Sequence, residues 1–288
     1  MTRKERIKAR KERIAKRNAR SKKREEEKKR QKELEETIKI EKSVKTTESL
    51  NILIALNCYN YQHRLCWMLS SLVQQKGNVP NLIIDISYTP NNGDPITEDV
   101  IKFFREKGLN IKETIVEPDE VKNRSKVRNT QIKKADPDEI DWVIFADCDM
   151  VYDPFFFDDL QKQLKGKYAK ETKCIGGDRT SLKIEFCSEY FLNDTREYPC
   201  EIPNVTDILK EWPVYYIRGK RVAAGYFQLA NMESIMKHGG NFSNKERDSL
   251  RRYKGDRSFR CQMGGRRGMD VKPQYHLNHT RENPERQR

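Results

Sequence analysis

Two aspartates, Asp147 and Asp149, are separated by a single cysteine and follow an apolar run. The run, residues 142–146, reads as a short buried strand of a parallel sheet, and Pro154 stops its simple continuation. On an extended backbone two carboxylates at i and i+2 point the same way, and such like charges repel unless a cation lies between them. Oxygen ligands suit a hard divalent cation. A solvated acidic loop is the alternative, because this spacing is common.

The elements that must position these aspartates alternate between strand and helix along the chain. Such alternation predicts a parallel sheet with helices on both faces. Ligands of such sheets bind outside the carboxyl ends of the strands, which is where Asp147 and Asp149 lie. The predicted strands cover residues 51–57, 81–88, 110–116 and 142–146, and the predicted helices cover residues 61–75, 96–107 and 122–135.

The positive charge of the chain is concentrated in its first 48 residues. They hold 20 Lys and Arg against 10 Glu, a net charge of +10 out of +14 for the whole chain, which leaves +4 for residues 49–288. Apolar residues at heptad spacing are lacking, so we expect a solvated helix or a disordered arm and not a coiled coil. Such an arm attracts polyanions, for example nucleic acid, an anionic membrane or an acidic partner. A solubilising tail without a fixed partner is the alternative.

The apolar runs and the cysteines bear on where the protein resides. No apolar run reaches membrane-spanning length, and the N-terminal residues lack the apolar stretch of a secretory signal. Seven cysteines without a C-x-x-C spacing fit reduced thiols better than disulfides or a zinc site. We therefore expect no transmembrane segment and a cytoplasmic location.

Four short motifs follow one another along the chain: NCYN at residues 57–60, SSLVQQ at residues 70–75, the Arg128-Asn129 pair on the helix before the aspartates, and DCD itself. In this order they resemble GT-A-type glycosyltransferases, close to the large inverting family with many bacterial and phage members. Each motif alone has a high false-positive rate, whereas four in one order are far more specific.

The second half of the chain extends the resemblance, which covers residues 50–282. Residues 221–240, with a glycine-bearing turn, a strand and a helix that ends in two glycines, resemble the acceptor side of this group. Residues 244–248 stand where galactosyltransferase-like relatives carry an acidic cluster, and YHLNH at residues 275–279 resembles their terminal H-L-x-H. Residues 1–48 lie outside the resemblance.

The resemblance implies an α/β fold of the GT-A (Rossmann-like) type, a mostly parallel sheet flanked by helices. It would occupy residues 49–288, after the basic arm of residues 1–48. Residues 49–155 would form the nucleotide-sugar-binding half. Residues 156–288 would form the acceptor half and a C-terminal metal or lid segment.

A nucleotide-sugar donor, expected to be a UDP-sugar, brings a pyrophosphate whose departure builds negative charge that a divalent cation neutralises. Mn2+ or Mg2+ is the expected ion, with Asp149, Asp147 and a histidine as ligands, Asp147 directly or through water or ribose. His276 and His279 are the candidates for the histidine. Positions i and i+3 of an extended strand face different ways, so we expect one of the two to reach the metal and favour His276. Exposed histidines without a ligand role are the alternative.

The acceptor hydroxyl must lose its proton as it attacks, and a carboxylate is the simplest general base. Glu246 and Asp248 are the candidates, and the choice between them stays open because Arg247 interrupts the relatives' acidic cluster. An exposed acid at a helix start is the alternative for either residue.

Donor binding is expected from residues at the strand ends and on the helix before the aspartates. Where relatives carry Asp-Asp-Gly-Ser after the second strand, this chain has DISYTPNNGD, so the contact of Asp85 or Asp94 with base or ribose is left open. Arg266, in the run GGRRG, would belong to a loop that closes over the donor, or else to solvated surface. The candidate donor-binding residues are Asn57, Tyr59, Asn60, Asp85, Arg128, Asp147 and Arg266.

Together these features predict a metal-dependent glycosyltransferase, a hexosyl- or pentosyltransferase acting on a hydroxyl acceptor. The basic arm would suit a polyanionic acceptor, such as a modified base of phage DNA, and the location would then be the host cytoplasm. A glycan or lipid-linked acceptor is the first alternative. The second is a non-catalytic nucleic-acid-binding protein on a degenerate transferase fold, which metal-dependent hydrolysis of a nucleotide sugar would exclude.

Overall fold

The computed structural model describes residues 49–59, 61–90, 96–218, 226–240, 242 and 254–279. The described residues from Leu50 onward belong to one compact unit. Several predictions fall outside the described residues: the arm of residues 1–48, Asn60, Asp94, Glu246 and Asp248.

The described residues fold into strands β1 to β11 and helices α1 to α9. The strands are β1 (Asn51–Asn57), β2 (Asn81–Tyr88), β3 (Asn110–Ile115), β4 (Trp142–Ala146), β5 (Met150–Tyr152), β6 (Cys174–Gly176), β7 (Arg179–Leu182), β8 (Val214–Arg218), β9 (Phe227–Asn231), β10 (Arg266–Gly268) and β11 (Gln274–His276). The helices are α1 (Gln62–Val73), α2 (Thr97–Glu106), α3 (Pro118–Val121), α4 (Arg124–Lys134), α5 (Phe156–Lys165), α6 (Ile184–Leu192), α7 (Val205–Lys210), α8 (Met232–His238) and α9 (Lys254–Gln262).

The main sheet of the described chain has seven strands in the order β10-β6-β9-β4-β1-β2-β3. Strand β1 pairs in parallel with β2 and β4, and β2 pairs in parallel with β3. Strand β9 is antiparallel to both of its neighbours, β4 and β6. The predicted α/β class with a mostly parallel sheet and flanking helices is confirmed.

Both faces of the main sheet are covered, which is why β1 reads as a continuous apolar run. Side chains of a strand alternate between faces. Accordingly Ile52 and Ile54 belong to a core cluster with residues of α1 and α2. Leu53 and Ala55 belong to a second cluster with Ile132 of α4 and residues of α8 and α9.

The helix predicted over residues 122–135 is interrupted near its start. Helix α3 ends at Val121, and α4 begins at Arg124. The side chain of Asn123 caps α4 by accepting a hydrogen bond from the backbone N–H of Lys126 at 3.2 Å. An asparagine side chain that bonds a backbone N–H two or three residues on favours such a start over a continuous helix.

A second sheet, not predicted from the sequence, has four described strands in the order β5-β11-β7-β8. Strand β11 is antiparallel to β5, with His276 opposite Met150, and parallel to β7. The backbone N–H of Leu277 donates to the carbonyl of Asp149 at 2.9 Å. This sheet brings the C-terminal YHLNH segment alongside the aspartates that follow β4.

Candidate metal and donor site

The two aspartates lie in a tight turn between β4 and β5, and not on a continued strand. The backbone N–H of Met150 donates to the carbonyl of Asp147 at 3.3 Å, which closes the turn. The prediction that the carboxylates at i and i+2 point the same way assumed an extended backbone. Because the backbone turns here, the two side chains contact different partners. Asp149 is buried, and Asp147 keeps about a fifth of its side chain exposed.

Asp149 lies against both C-terminal histidines. Its Oδ2 is 3.4 Å from Nε2 of His276 and 3.0 Å from Nε2 of His279. One ligand atom from each of the three residues lies within 4.8 Å of the others. Among the described residues this is the one group of three or more His, Cys, Asp or Glu side chains that could hold a metal ion. The sequence predicted that one of the two histidines reaches the metal. The structure brings both imidazoles to Asp149, because β11 ends at His276 and the chain leaves the extended conformation before His279. Which of them binds a metal stays a prediction.

The charge on Asp149 is maintained by these imidazoles. Burial would raise the pKa of the Asp149 carboxyl, but the charges and hydrogen bonds of His276 and His279 outweigh burial and hold its pKa well below the usual range. Its second oxygen, Oδ1, is buried and has no hydrogen-bond partner among the described residues, and the same is true of Nδ1 of His276. A buried, ionised oxygen without a partner is unusual in a folded protein and is what a cation ligand requires.

The three side chains fit a divalent cation. Metal–ligand bonds of about 2.1 Å at right angles place two ligand atoms about 3 Å apart, close to the Asp149–His279 separation. One carboxylate with two imidazoles, and no thiolate, is a mixed set of oxygen and nitrogen ligands. This set suits Mn2+ better than Mg2+, because Mg2+ sites typically contain oxygen ligands alone.

Asp147 faces two arginines of α4. Its Oδ1 is 3.1 Å from Arg124 and 3.6 Å from Arg128. Burial raises the pKa of the Asp147 carboxyl and the charge of Asp149 adds to this, while both arginines oppose the rise. The structure thus places Asp147 in ion pairs and outside the group of Asp149 with the histidines, although it was predicted as a ligand. Its direct or water-mediated contact with the metal stays a prediction.

Arg128 and Asn129 connect α4 to chain segments distant in sequence. The buried guanidinium of Arg128 donates to Asp256 of α9 at 2.9 Å and lies over the rings of Phe145 and Phe242. The amide of Asn129 exchanges two hydrogen bonds with the backbone of Phe242, at 2.9 and 2.8 Å. The predicted Arg-Asn pair therefore holds positions 242 and 256, on either side of the segment that contains Glu246 and Asp248.

Two of the donor-binding candidates lie at the carboxyl end of β1, at the same edge of the sheet as Asp147: Asn57 is the last residue of β1, and Tyr59 follows the strand. Asn57 donates through Nδ2 to the carbonyl of Val121 at 2.8 Å, and its buried Oδ1 has no partner among the described residues. Tyr59 packs against a small apolar cluster of Val116, Val121 and Val127. Lys122 lies 5.8 Å from the Tyr59 ring centre.

Two further candidates lie elsewhere. Asp85 is buried in the middle of β2, where it accepts a hydrogen bond from Thr114 at 3.1 Å. Burial raises the pKa of the Asp85 carboxyl. Arg266 is exposed at the start of β10, a strand at the edge of the main sheet three positions from β4. Residues 266–268 of GGRRG therefore form a strand, and the closure of this segment over the donor stays a prediction. Donor contacts of Asp85 and Arg266 stay predictions.

Sequence reasoning missed three residues that the structure brings to the site. Arg124 stands one turn before Arg128 on the same face of α4, a spacing that could have indicated it. The hydroxyl of Tyr61, just before α1, lies 2.8 Å from Nε2 of His279. Asp256, the partner of Arg128, carries no signal in the sequence because the contact spans 128 residues.

In the described part of the chain, no helix is both long and apolar enough to cross a membrane.

Comparisons with known proteins give distant structural similarities. No family model and no curated protein matches the chain. The chain is similar to S. aureus TarS 1–349 in complex with UDP-GlcNAc, at 13% identity over 83% of this chain and 60% of that chain, with a TM-score of 0.49. The mannosyltransferase PcManGT from Pyrobaculum calidifontis, in complex with GDP-Man and Mn2+, gives the same four values.

S. aureus TarS in another crystal structure is similar at 14% identity over 80% of this chain and 36% of that chain, with a TM-score of 0.48. The chain thus spans less than two thirds of the length of these proteins. They are of the kind that the sequence resemblance predicted. Because identity and TM-score are low, the roles proposed below rest on this chain's own residues.

Proposed function

We propose that this chain is a metal-dependent glycosyltransferase that moves a sugar from a nucleotide-sugar donor to a hydroxyl acceptor. The proposal depends on one observation: Asp149, His276 and His279 converge at the carboxyl end of β4, with a buried carboxylate oxygen that has no partner among the described residues. Ligands of parallel sheets bind at this edge. A metal centre that hydrolyses its substrate would use a similar set of ligands. The neighbouring arginines favour a ligand that carries phosphate, as a nucleotide-sugar does.

Asp149, His276 and His279 would hold Mn2+, or Mg2+ with lower preference. A divalent cation bound there supplies charge neutralisation for the pyrophosphate that leaves the sugar. Arg124, about half exposed beside Asp147, would donate to phosphate oxygens. Asp147 would accept hydrogen bonds from ribose hydroxyls, and the partly buried ring of Tyr59 would stack on the base. A UDP-sugar is our proposed donor.

Glu246 and Asp248 remain the proposed alternatives for the general base. Their own placement lies outside the described residues, but residues of α4 bind the chain on both sides of them. Asn129 binds Phe242, and Arg128 binds Asp256. This anchoring supports an acceptor-side role for the segment between them, because a base must come within hydrogen-bond reach of the attacking hydroxyl.

The class of the acceptor is the finer part of the proposal. The +10 charge of residues 1–48 favours a polyanion, of which a modified base of DNA is one case. A glycan or lipid-linked acceptor is the other case. A non-catalytic nucleic-acid-binding protein would use the arm but would have no need of the Asp149 group.

The seven cysteines, all among the described residues, are thiols, which supports a reducing compartment such as the cytoplasm.

The test is the loss of one metal ligand. Asp149→Asn should weaken Mn2+ binding at least about 10-fold, measured by calorimetry, because a neutral amide is a poor ligand for a hard cation. It should also abolish Mn2+-dependent hydrolysis of UDP-GlcNAc and GDP-mannose. Asp138→Asn, at an exposed aspartate away from the site, is the matched control and should change neither. Unchanged Mn2+ affinity in Asp149→Asn would refute the metal site.

A further inference from the structure

A second concave site, which we name the aromatic pocket, lies on α6 and the loop that follows it. Its volume is about 500 Å3. It is lined by the rings of Phe186 and Tyr190, which we call its wall, by the exposed Glu189 and Asn193, its rim, and by the half-buried Arg196, its floor. None of these residues belongs to the metal and donor site.

The positive charge at the floor of the aromatic pocket is paired with a carboxylate. Arg196 forms a two-point ion pair with Asp194, with N–O distances of 2.8 and 2.6 Å. The same guanidinium donates to the hydroxyl of Tyr190 at 3.2 Å and lies 5.0 Å from the ring of Trp67. Because Arg196, the basic residue among those that line the pocket, is already paired, these residues disfavour an anion as the ligand.

The wall and rim offer groups that remain accessible to a ligand. Phe186 packs edge-on against Trp212, with ring centres 5.1 Å apart, and is still 37% exposed. Glu189 and Asn193, one turn apart on α6 and at its end, are exposed beside it. An exposed ring next to a carboxylate and an amide is the combination that binds a sugar: the C–H face of the pyranose packs on the ring, and its hydroxyls hydrogen-bond to the polar groups.

Other ligand classes fit these residues less well. A polyanion would meet Glu189 and an arginine that is already neutralised by Asp194. A lipid chain would leave the polar rim without partners, which is costly for groups removed from water. The described residues place no group of metal-binding side chains here.

Helix α1 connects the aromatic pocket to the metal site. At its N-terminal end, Tyr61 contacts His279. The guanidinium of Arg64 lies 6.0 Å from the Tyr61 ring and 4.6 Å from the ring of Phe191, which is next to Tyr190 in α6. Trp67, which contacts Arg196, is six residues after Tyr61, or roughly 9 Å along the helix axis. One helix thus contacts both a residue of the metal site and a residue that lines the pocket, which supports a pocket that holds part of an acceptor.

We propose that the aromatic pocket binds a pyranose unit of a carbohydrate acceptor. This inference rests on the proposed function, since it names the class of acceptor for that reaction. The inference assigns a glycan, and not a DNA base, to the pocket beside α6.

The experiment uses the full chain with Mn2+ and UDP, and four probes: methyl β-D-glucopyranoside, methyl β-D-galactopyranoside, methyl N-acetyl-β-D-glucosaminide and methyl α-D-mannopyranoside. Saturation-transfer NMR should detect binding of at least one. Phe186→Ala should weaken that binding about 3- to 10-fold, the reduction expected for one ring contact. Phe155→Ala removes another exposed ring, at the start of α5, and should have no effect.

Glu189→Gln provides a second variant that cannot disturb packing, because its side chain is exposed. It should weaken glycoside binding without changing Mn2+ affinity. Absence of binding for all four glycosides, or equal affinity in Phe186→Ala, Glu189→Gln and the unaltered chain, would overturn the inference. If the glycoside results fail in either way but Asp149→Asn still loses Mn2+ binding, the inference about the pocket fails and the proposed function is retained. If Mn2+ binding persists in Asp149→Asn, the proposed function fails whatever the glycosides do.

Discussion

His279 shows how one side chain can depend on a local departure from regular structure. Its Nε2 contacts both Asp149 and the hydroxyl of Tyr61, so the ring orientation is fixed from two directions. His276 reaches the same carboxylate oxygen from the end of β11. Both imidazoles therefore belong to one site, and neither is an isolated C-terminal histidine.

We predict that both histidines contribute to Mn2+ affinity. His276→Ala and His279→Ala should each weaken Mn2+ binding by at least about 10-fold, because either change removes one of three ligand atoms. Calorimetric titration with Mn2+ measures the effect. His238→Ala, at an exposed histidine of α8, serves as the control. A normal affinity in one of the first two variants would show that the other histidine acts alone.

Some of the site could be predicted from the sequence because its signal is local. Asp149 was found from an apolar strand followed directly by acids, and His279 from a short motif. Arg124 and Tyr61 were missed, since a basic residue on a helix and a tyrosine before a helix are each common. Asp256 could not be found, because only folding brings it to Arg128.

At the scale of elements, β11 determines where His276 stands, and β11 depends on a close approach at Gly177. A Cβ at this position would lie 2.8 Å from Cγ2 of Val271 and 2.9 Å from Nε2 of Gln274. Gln274 in turn donates to the carbonyl of Asp178 at 2.8 Å. The absence of a side chain at Gly177 therefore allows β11 to lie next to the β6–β7 connection.

We predict that Gly177→Ala lowers the free energy of unfolding by about 1 to 3 kcal/mol, the usual cost of forcing an extra carbon into packed structure. Urea denaturation measures the change. Adding Val271→Ala should recover part of the stability, because it removes one of the two clashing atoms. A single variant as stable as the unaltered chain would show that β11 can move without cost.

Three of the predicted strands differ physically from two short strands that the sequence did not predict. Strands β1, β2 and β4 are buried runs of five or more residues, so their apolar patterns are long enough to recognise. Strands β5 and β11 have three residues each, too few for a period, and they form because distant partners supply their hydrogen bonds. The second sheet, and with it the convergence of both histidines on Asp149, could not be predicted for this reason.

At the scale of the whole molecule, charge is distributed unevenly between residues 1–48 and the rest. We predict that a chain starting at Ser49 keeps Mn2+-dependent donor hydrolysis, since the removed residues contain no candidate site residue. Its affinity for duplex DNA should become less dependent on salt, by about 0.9 in the log–log slope for each DNA phosphate that the arm no longer neutralises.

Fluorescence anisotropy at several salt concentrations measures this slope. A full-length variant with residues 1–48 in shuffled order should keep the slope, because the effect depends on charge and not on sequence. Equal slopes for the truncated and unaltered chains would remove the arm as support for a polyanionic partner.

Arg128 is shared between Asp147 after β4 and Asp256 of α9, at 3.6 and 2.9 Å. A ligand that binds to the Asp147 carboxylate changes how strongly that carboxylate competes for the guanidinium, and so changes the free energy of the pair with Asp256. Thermodynamic linkage is reciprocal. If the donor binds at Asp147 as proposed, a ligand that alters the pair of Arg128 with Asp256 would change donor affinity by the same factor by which the donor changes the affinity for that ligand. One buried guanidinium would thereby couple the end of β4 to α9.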